Sequence, residues 1–240
     1  MSRDSKKSDN ETNLSRRNWA IGTEQDRDYW ESKYKEAKSF MDSRQSFPST
    51  LIEVAAQHPL VDGEYPNEEF EKRLLLSRQL YDQERAKGNE VEIYVPGSVH
   101  MFNGKTDSIS LSEAGSRFLQ RISIPKEIIR GEDLNERFKG LEGVYNSADE
   151  CFVTASYFKN KTFGHLFSVI SPVQLFRKTL HYIEFGVLPL NFTAPSYDTF
   201  HSYIGEIFEA IPYVLFVDHN LQGKDSVRSK ELRDARKPSM

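Results

Sequence analysis

The chain has 240 residues, of which 38% are apolar and 28% charged, with 16 Phe and 11 Tyr, enough to build a core and to exclude wholesale disorder. Residues 1–20 carry five Lys/Arg against three Asp/Glu and residues 223–240 carry six against three, so the net charge of −4 divides into +5 at the ends and −9 between them. So acidic a middle argues against a general nucleic-acid binder, and the single Cys151 excludes a disulfide framework or zinc ribbon and favours a reducing compartment. No run approaches the roughly 18 apolar residues of a membrane span. Met1 to Arg17 is polar and has no signal-peptide apolar stretch. The expectation is a cytoplasmic protein with no membrane span.

Residues 1–22 read as a solvated tail. Thr23 followed by Asp26 has the form of a helix N-cap, and Trp30, Tyr34, Ala37 and Met41 then recur at helical spacing with Tyr29 and Phe40 beside them. This predicts an amphipathic N-terminal helix over 23–45, packed on the main domain or presented to a partner. Leu51 to Ala56 is a short apolar run that reads as a buried strand. Pro66 to Lys87 is helical, with Phe70, Leu74, Leu80 and Tyr81 on its core face, and Val91 to Val95 is the next strand. Strand, helix, strand is a βαβ unit with parallel pairing and a right-handed crossover. The alternation continues with a helix at Leu111–Arg121, a strand at Glu127–Arg130 and a helix capped by Asn146-Ser147 through Phe158. A strand at His165–Ile170, a helix opened by Pro172 and a strand at Val187–Phe192 follow, then an amphipathic stretch, Tyr197 to Val217. The predicted fold is α/β: a doubly wound, mostly parallel five-stranded Rossmann-like sheet with helices on both faces. One domain spans 46–222, and 223–240 is a charged tail.

In such sheets ligands bind beyond the carboxyl ends of the strands, where helix N-termini converge. The candidates are therefore the residues just after each strand. His58 follows the first, and Gly97, Ser98 and His100 follow the second. Glu132 with Asp133 follows the third, and Ser171, Gln174 and Arg177 follow the fourth. Gly97 allows close backbone approach. Ser171 is placed to cap a helix or meet an anion, and Arg177, three residues past Gln174, to reach a phosphate or carboxylate. Glu113 opens the helix after the second strand, where the dipole also favours an acid. His58 and His100 are the two histidines positioned as a general base. The chain has no GxGxxG, GxxxxGK[ST] or GxSxG motif and no metal-ligand histidine spacing. Cys151 falls on an apolar helix face, as a buried thiol would.

The order of these motifs resembles the SanA/ElyC/YdcF-like family of bacterial Rossmann-like proteins over about Leu51 to Ala194. The features that carry the likeness are Arg73 with Leu80-Tyr81, Val95-Pro96-Gly97, Ser112-Glu113-Ala114, Ile124-Pro125 before Glu132, Asn146, and the series Ser171, Gln174, Arg177. The chain departs from that pattern at Ala56-Gln57-His58, where the family has a glycine-rich ending, and at Gln174, where it has a histidine. Leu134 to Gly143 is an apparent insertion, and the family's Thr and Glu are not evident at Gly143 and Tyr145. Many members are membrane-anchored and associated with envelope biogenesis, and soluble YdcF-like members are linked with S-adenosylmethionine binding. Without an anchor, this chain resembles the soluble kind.

Two functions are expected. One is a site for a small anionic or nucleotide-like molecule, S-adenosylmethionine first among them, in a transferase or hydrolase. There Ser171 and Arg177 hold the anion, and Gly97, Ser98, Asn146, Gln174 and His58 line the site. Glu113, Glu132 and His100 supply polar or acid–base groups. The other is a non-catalytic scaffold on a decayed site, with a homodimer or protein partner using the Trp30–Met41 helix.

Overall fold

The computed structural model describes residues 24–57, 59–99, 101–102, 105–131, 144, 147–196 and 204. Helix α1 (Glu24–Asp42) leads to strand β1 (Ser49–Val54), helix α2 (Glu68–Ala86) and strand β2 (Glu90–Tyr94). A short antiparallel hairpin, β3 (Met101–Phe102) with β4 (Lys105–Thr106), precedes α3 (Leu111–Arg121). Then come β5 (Ile129–Arg130), α4 (Ser147–Lys159), β6 (His165–Ile170), α5 (Leu175–Glu184) and β7 (Leu190–Thr193). The sheet has the order β5-β2-β1-β6-β7 and every pairing is parallel. This is the Rossmann-like α/β arrangement: the first strand is central, and the chain reverses direction across the sheet between β1 and β6.

β1 reads Ser-Thr-Leu-Ile-Glu-Val and is buried at all six positions. Its Ile52 and Val54 pack with Phe70 and Leu74 of α2 and Phe118 and Leu119 of α3. Leu51 faces the opposite layer, with Cys151 and Phe158 of α4 and Tyr182 of α5. A parallel strand covered on both faces needs apolar residues on both, which is why the run is continuous rather than alternating. Glu53 breaks that rule.

Each helix carries its own local signals. Asn67 accepts the Phe70 N–H at 3.0 Å as the cap of α2, with Glu68, Glu69 and Glu71 in the first turn. Ser110 does the same for α3, accepting the Glu113 N–H at 3.0 Å. α1 lies against α4 and α5. Ala37 is fully buried, the Phe40 ring stands 6.3 Å from Phe158, and the Tyr29 hydroxyl donates to Glu184 at 2.5 Å. The aromatic stripe is thus turned onto the protein's own second layer, with Tyr34 left exposed. Among the described residues no helix is long and apolar enough to cross a membrane.

Element bounds shift in explicable ways. The third sheet strand is only Ile129–Arg130, because Lys126–Ile128 forms a 3-10 turn. The chain from Pro172 to Gln174 is also a 3-10 turn, so α5 begins at Leu175 and its phase is set afresh there. Val187, expected in the last strand, is buried in the turn before it, its N–H donating to Tyr182 O at 3.0 Å. The stretch from Tyr197 to Val217 lies outside the described residues apart from Ile204.

Candidate functional site

Because all five strands are parallel, their carboxyl ends share one edge, with neighbours about 4.8 Å apart. Ala55-Ala56-Gln57 continue β1, Val95 to Val99 continue β2, and Ser171 follows β6 directly. Gly97, Ser98, Ser171, Gln174 and Arg177 therefore come to the same edge, on either side of the β1 end. His58, His100, Glu132 and Asn146 lie outside the described residues.

The loop after β2 is bound up in the fold. Ser98 is buried and tied to Val144 twice: its N–H donates to Val144 O at 3.1 Å and its hydroxyl accepts the Val144 N–H at 2.8 Å. Gly97 O accepts the Ser112 N–H at 3.0 Å, and Ser98 O accepts the Leu111 N–H at 3.3 Å. With Ser110 taking the next N–H groups, the first turn of α3 is satisfied by the chain itself. Gly97 has φ +153°, and a Cβ there would stand 2.8 Å from Leu111 Cβ and 3.2 Å from Ala56 Cβ. Protein packing accounts for this glycine. Glu113 is exposed and pairs with Arg117 at 2.5 Å, one turn along the same helix.

The loop after β6 is arranged differently. Ser171 is buried, and its hydroxyl makes no capping bond to the turn that follows. Of the two roles open to it from sequence, capping is not the one observed. Gln174 and Arg177 are half-buried on the next turn. Across the β1 end, Arg73 of α2 is almost fully buried and donates to Ala55 O at 3.0 Å, Ala56 O at 3.3 Å and Gln57 Oε1 at 3.1 Å. A guanidinium thus fixes the turn at which the chain leaves the central strand.

Directly beneath this edge lies a cluster that residues beyond the strand ends did not reveal. Glu53 is the fifth residue of β1, and Lys178 and Glu150 are each the fourth residue of α5 and α4. Those helices run antiparallel to the strands, so all three residues sit on the carboxyl side. Lys178 Nζ donates to Glu53 Oε1 at 2.6 Å and to Glu150 Oε2 at 3.0 Å, and the Ser168 hydroxyl of β6 donates to Glu53 Oε2 at 2.5 Å. Glu53 and Lys178 are wholly buried, while the Glu150 side chain keeps 11% exposure. Burial pushes the Glu150 carboxyl up, Lys178 opposes this and Glu53 adds to it. Burial also works against the Lys178 charge, but Glu150 and Glu53 outweigh it and hold the ammonium above its ordinary range. Cys151 is buried beside the cluster, its thiol donating to Lys178 O at 3.7 Å, and burial raises it well above the usual thiol range.

Several neighbouring polar groups are buried without a hydrogen-bond partner among the described residues: Thr154 Oγ1, Tyr182 Oη and both ring nitrogens of His181. Tyr182 lies close to Thr154 and Ser168 without a well-aligned bond. Burial, with Arg177 and Lys178 adding to it, pushes the His181 imidazole down to about 3. The sequence carries a signal for this cluster at Glu53, which interrupts an apolar strand. Among the described residues no group of three His, Cys, Asp or Glu side chains is placed to hold a metal ion.

Fold and site together define an α/β protein of Rossmann-like topology with a charged cluster beneath the point where strand order reverses. No protein-family model matches the chain, and neither a curated protein nor a solved structure matches it.

Proposed function

We propose that the protein binds a small anionic or nucleotide-like molecule at the carboxyl edge between β1 and β6, in the manner of soluble YdcF-like proteins. In this reading Ser171 and Arg177 hold the anion, Gln174 orients the rest of the ligand, and Arg73 keeps the β1 turn in place. The chemistry is that of a transferase or hydrolase acting on a phosphorylated or adenosyl-containing substrate, and S-adenosylmethionine is the first ligand to try. The observation that carries the reading is the pairing of the strand-order reversal with Ser171, a buried serine immediately past β6 whose hydroxyl does not cap its helix. A partner-binding scaffold has less support, since the α1 stripe is turned onto α4 and α5.

The test is a thermal-shift and calorimetric screen with S-adenosylmethionine, nucleotides, phosphosugars and sulfate. A ligand of this site raises the melting temperature, and Arg177→Ala weakens it at least tenfold, about 1.4 kcal/mol. Equal affinity in the variant removes Arg177 from the site, and silence across the panel removes the reading.

A further inference from the structure

Two carboxylates and one ammonium are enclosed together beneath the carboxyl edge, so the three charges cannot all be present without leaving one excess negative charge in a poorly solvated place. Charge balance there calls for one bound proton. The hydrogen bonds say where it belongs. Glu53 accepts from two donors, Lys178 Nζ and Ser168 Oγ, one on each oxygen, so both of its oxygens are already engaged. Glu150 accepts from Lys178 alone, through Oε2, and its Oε1 has no partner among the described residues. Lys178, bonded to both acids, keeps its own proton.

Glu150 is also the member with an outlet. It occupies the first turn of α4, whose N-terminus is at the carboxyl edge, and it alone of the three retains side-chain exposure. One turn along α4 the Thr154 hydroxyl, and close to it that of Tyr182, are buried without a well-aligned partner among the described residues. Native interiors rarely leave such groups without a water or ligand to bond. The charged groups that bear on Glu150 are Lys178 from α5, Glu53 from β1 and, more weakly, Arg73 from α2. Arg73 does not close that balance, since its guanidinium is held by Ala55, Ala56 and Gln57 and lies 4.0 Å from the Glu69 carboxylate.

We propose that Glu150 is the proton-exchanging residue of this protein, with Lys178 and Glu53 as its positioning residues. This rests on the ligand site proposed above. In the donating direction the O–H bond of the Glu150 carboxyl breaks, the proton passes to a lone pair of the bound group, and the carboxylate left behind is stabilised by Lys178 Nζ. In the accepting direction the same proton returns, and no other reactant is required.

The first test needs no ligand. Protein labelled with 13C at the glutamate carboxyl carbons is titrated by NMR, in the wild type, Glu150→Gln and Ser168→Ala. One resonance is expected to titrate well above the ordinary glutamate value of about 4.3, and to vanish in Glu150→Gln. In Ser168→Ala, where Glu53 loses a donor but Glu150 keeps its bond from Lys178, the high-titrating resonance remains. A high-titrating resonance that survives in Glu150→Gln, or none above the ordinary range, overturns the proposal. The second test uses sulfate, which does not itself titrate here. Ionising Glu150 opposes a bound anion, so sulfate affinity falls at least about threefold from about pH 5 to about pH 8 in the wild type and stays flat in Glu150→Gln. The same slope in both proteins counts against Glu150. Sulfate that binds at no pH counts against the anion site, while the NMR titration still decides Glu150.

Discussion

Ser168 and Glu53 stand opposite each other in the β1–β6 register, and the serine hydroxyl donates to Glu53 Oε2 at 2.5 Å in a fully buried setting. The bond spans the two strands between which the order of the sheet reverses. Ser168→Ala removes the donor and leaves a buried carboxylate oxygen without one, which costs about 1–3 kcal/mol. Urea unfolding at neutral pH measures this, and an unchanged midpoint would mean the bond contributes nothing to stability.

Lys178 is the shared partner of two acids, so its removal is more severe. Lys178→Met leaves Glu53 and Glu150 without their cation and is expected to cost about 3–5 kcal/mol. Adding Glu53→Gln and Glu150→Gln to that variant restores part of the loss, because neutral side chains no longer require the ammonium. The coupling appears as non-additivity in a mutant cycle of unfolding free energies. Strict additivity would show that the three residues act independently.

Much of this fold was legible from the alternation of apolar runs and helical spacings. Leu51 to Ala56, Val91 to Val95 and His165 to Ile170 each mark a strand, because strands covered on both faces leave a continuous apolar trace. The third strand is two residues long where the sequence predicts four, since nothing in Glu127-Ile128 distinguishes a 3-10 turn from extended chain. The candidate site was legible only at its rim. Looking beyond strand ends brought Ser98, Ser171 and Arg177 to one edge, but charged residues one layer down escape any rule that starts at loops. Glu53, Lys178 and Glu150 are 125 and 28 residues apart along the chain, and only the packing of α4 and α5 on β1 brings them together. The tight turn at Pro172–Gln174 also resets the helix phase, so Leu175 and Phe176 are exposed while Lys178 and His181 face inward.

Two buried groups make stability depend on pH with opposite signs. His181 is lowered from 6.5 to about 3 in the folded protein, so below 6.5 the unfolded chain takes up a proton that the native one does not. Its effect is to lower stability progressively as the pH falls from 6.5 towards about 3. Glu150 is raised above 4.5, so the native state keeps a proton that the unfolded chain gives up, and stability falls as the pH rises from 4.5 through the raised value. His181→Phe should therefore flatten the acid limb of the stability profile, and Glu150→Gln the neutral limb. Denaturation midpoints measured between about pH 4 and about pH 8 separate the two, and a Glu150→Gln profile parallel to the wild type at neutral pH would contradict the second assignment.

Gly97 joins the central sheet to the start of α3. With φ +153° and an added Cβ only 2.8 Å from Leu111 Cβ, Gly97→Ala is expected to cost about 1–3 kcal/mol. Its carbonyl and that of Ser98 accept the Ser112 and Leu111 N–H groups, so the variant should also speed amide exchange at those two residues. Unaltered exchange there would separate the strain at Gly97 from the anchoring of α3.

The distance along the chain between Glu53 and Lys178 has a consequence for biosynthesis. The acid in the central strand precedes its lysine by 125 residues, a delay of about 6–25 s at ordinary translation rates. Throughout that interval the nascent chain holds an apolar segment that cannot yet close over its own charge. Ribosome-bound intermediates that stop short of residue 178 should stay sensitive to protease at Leu51–Val54, and protection should arrive abruptly once the lysine has left the exit tunnel.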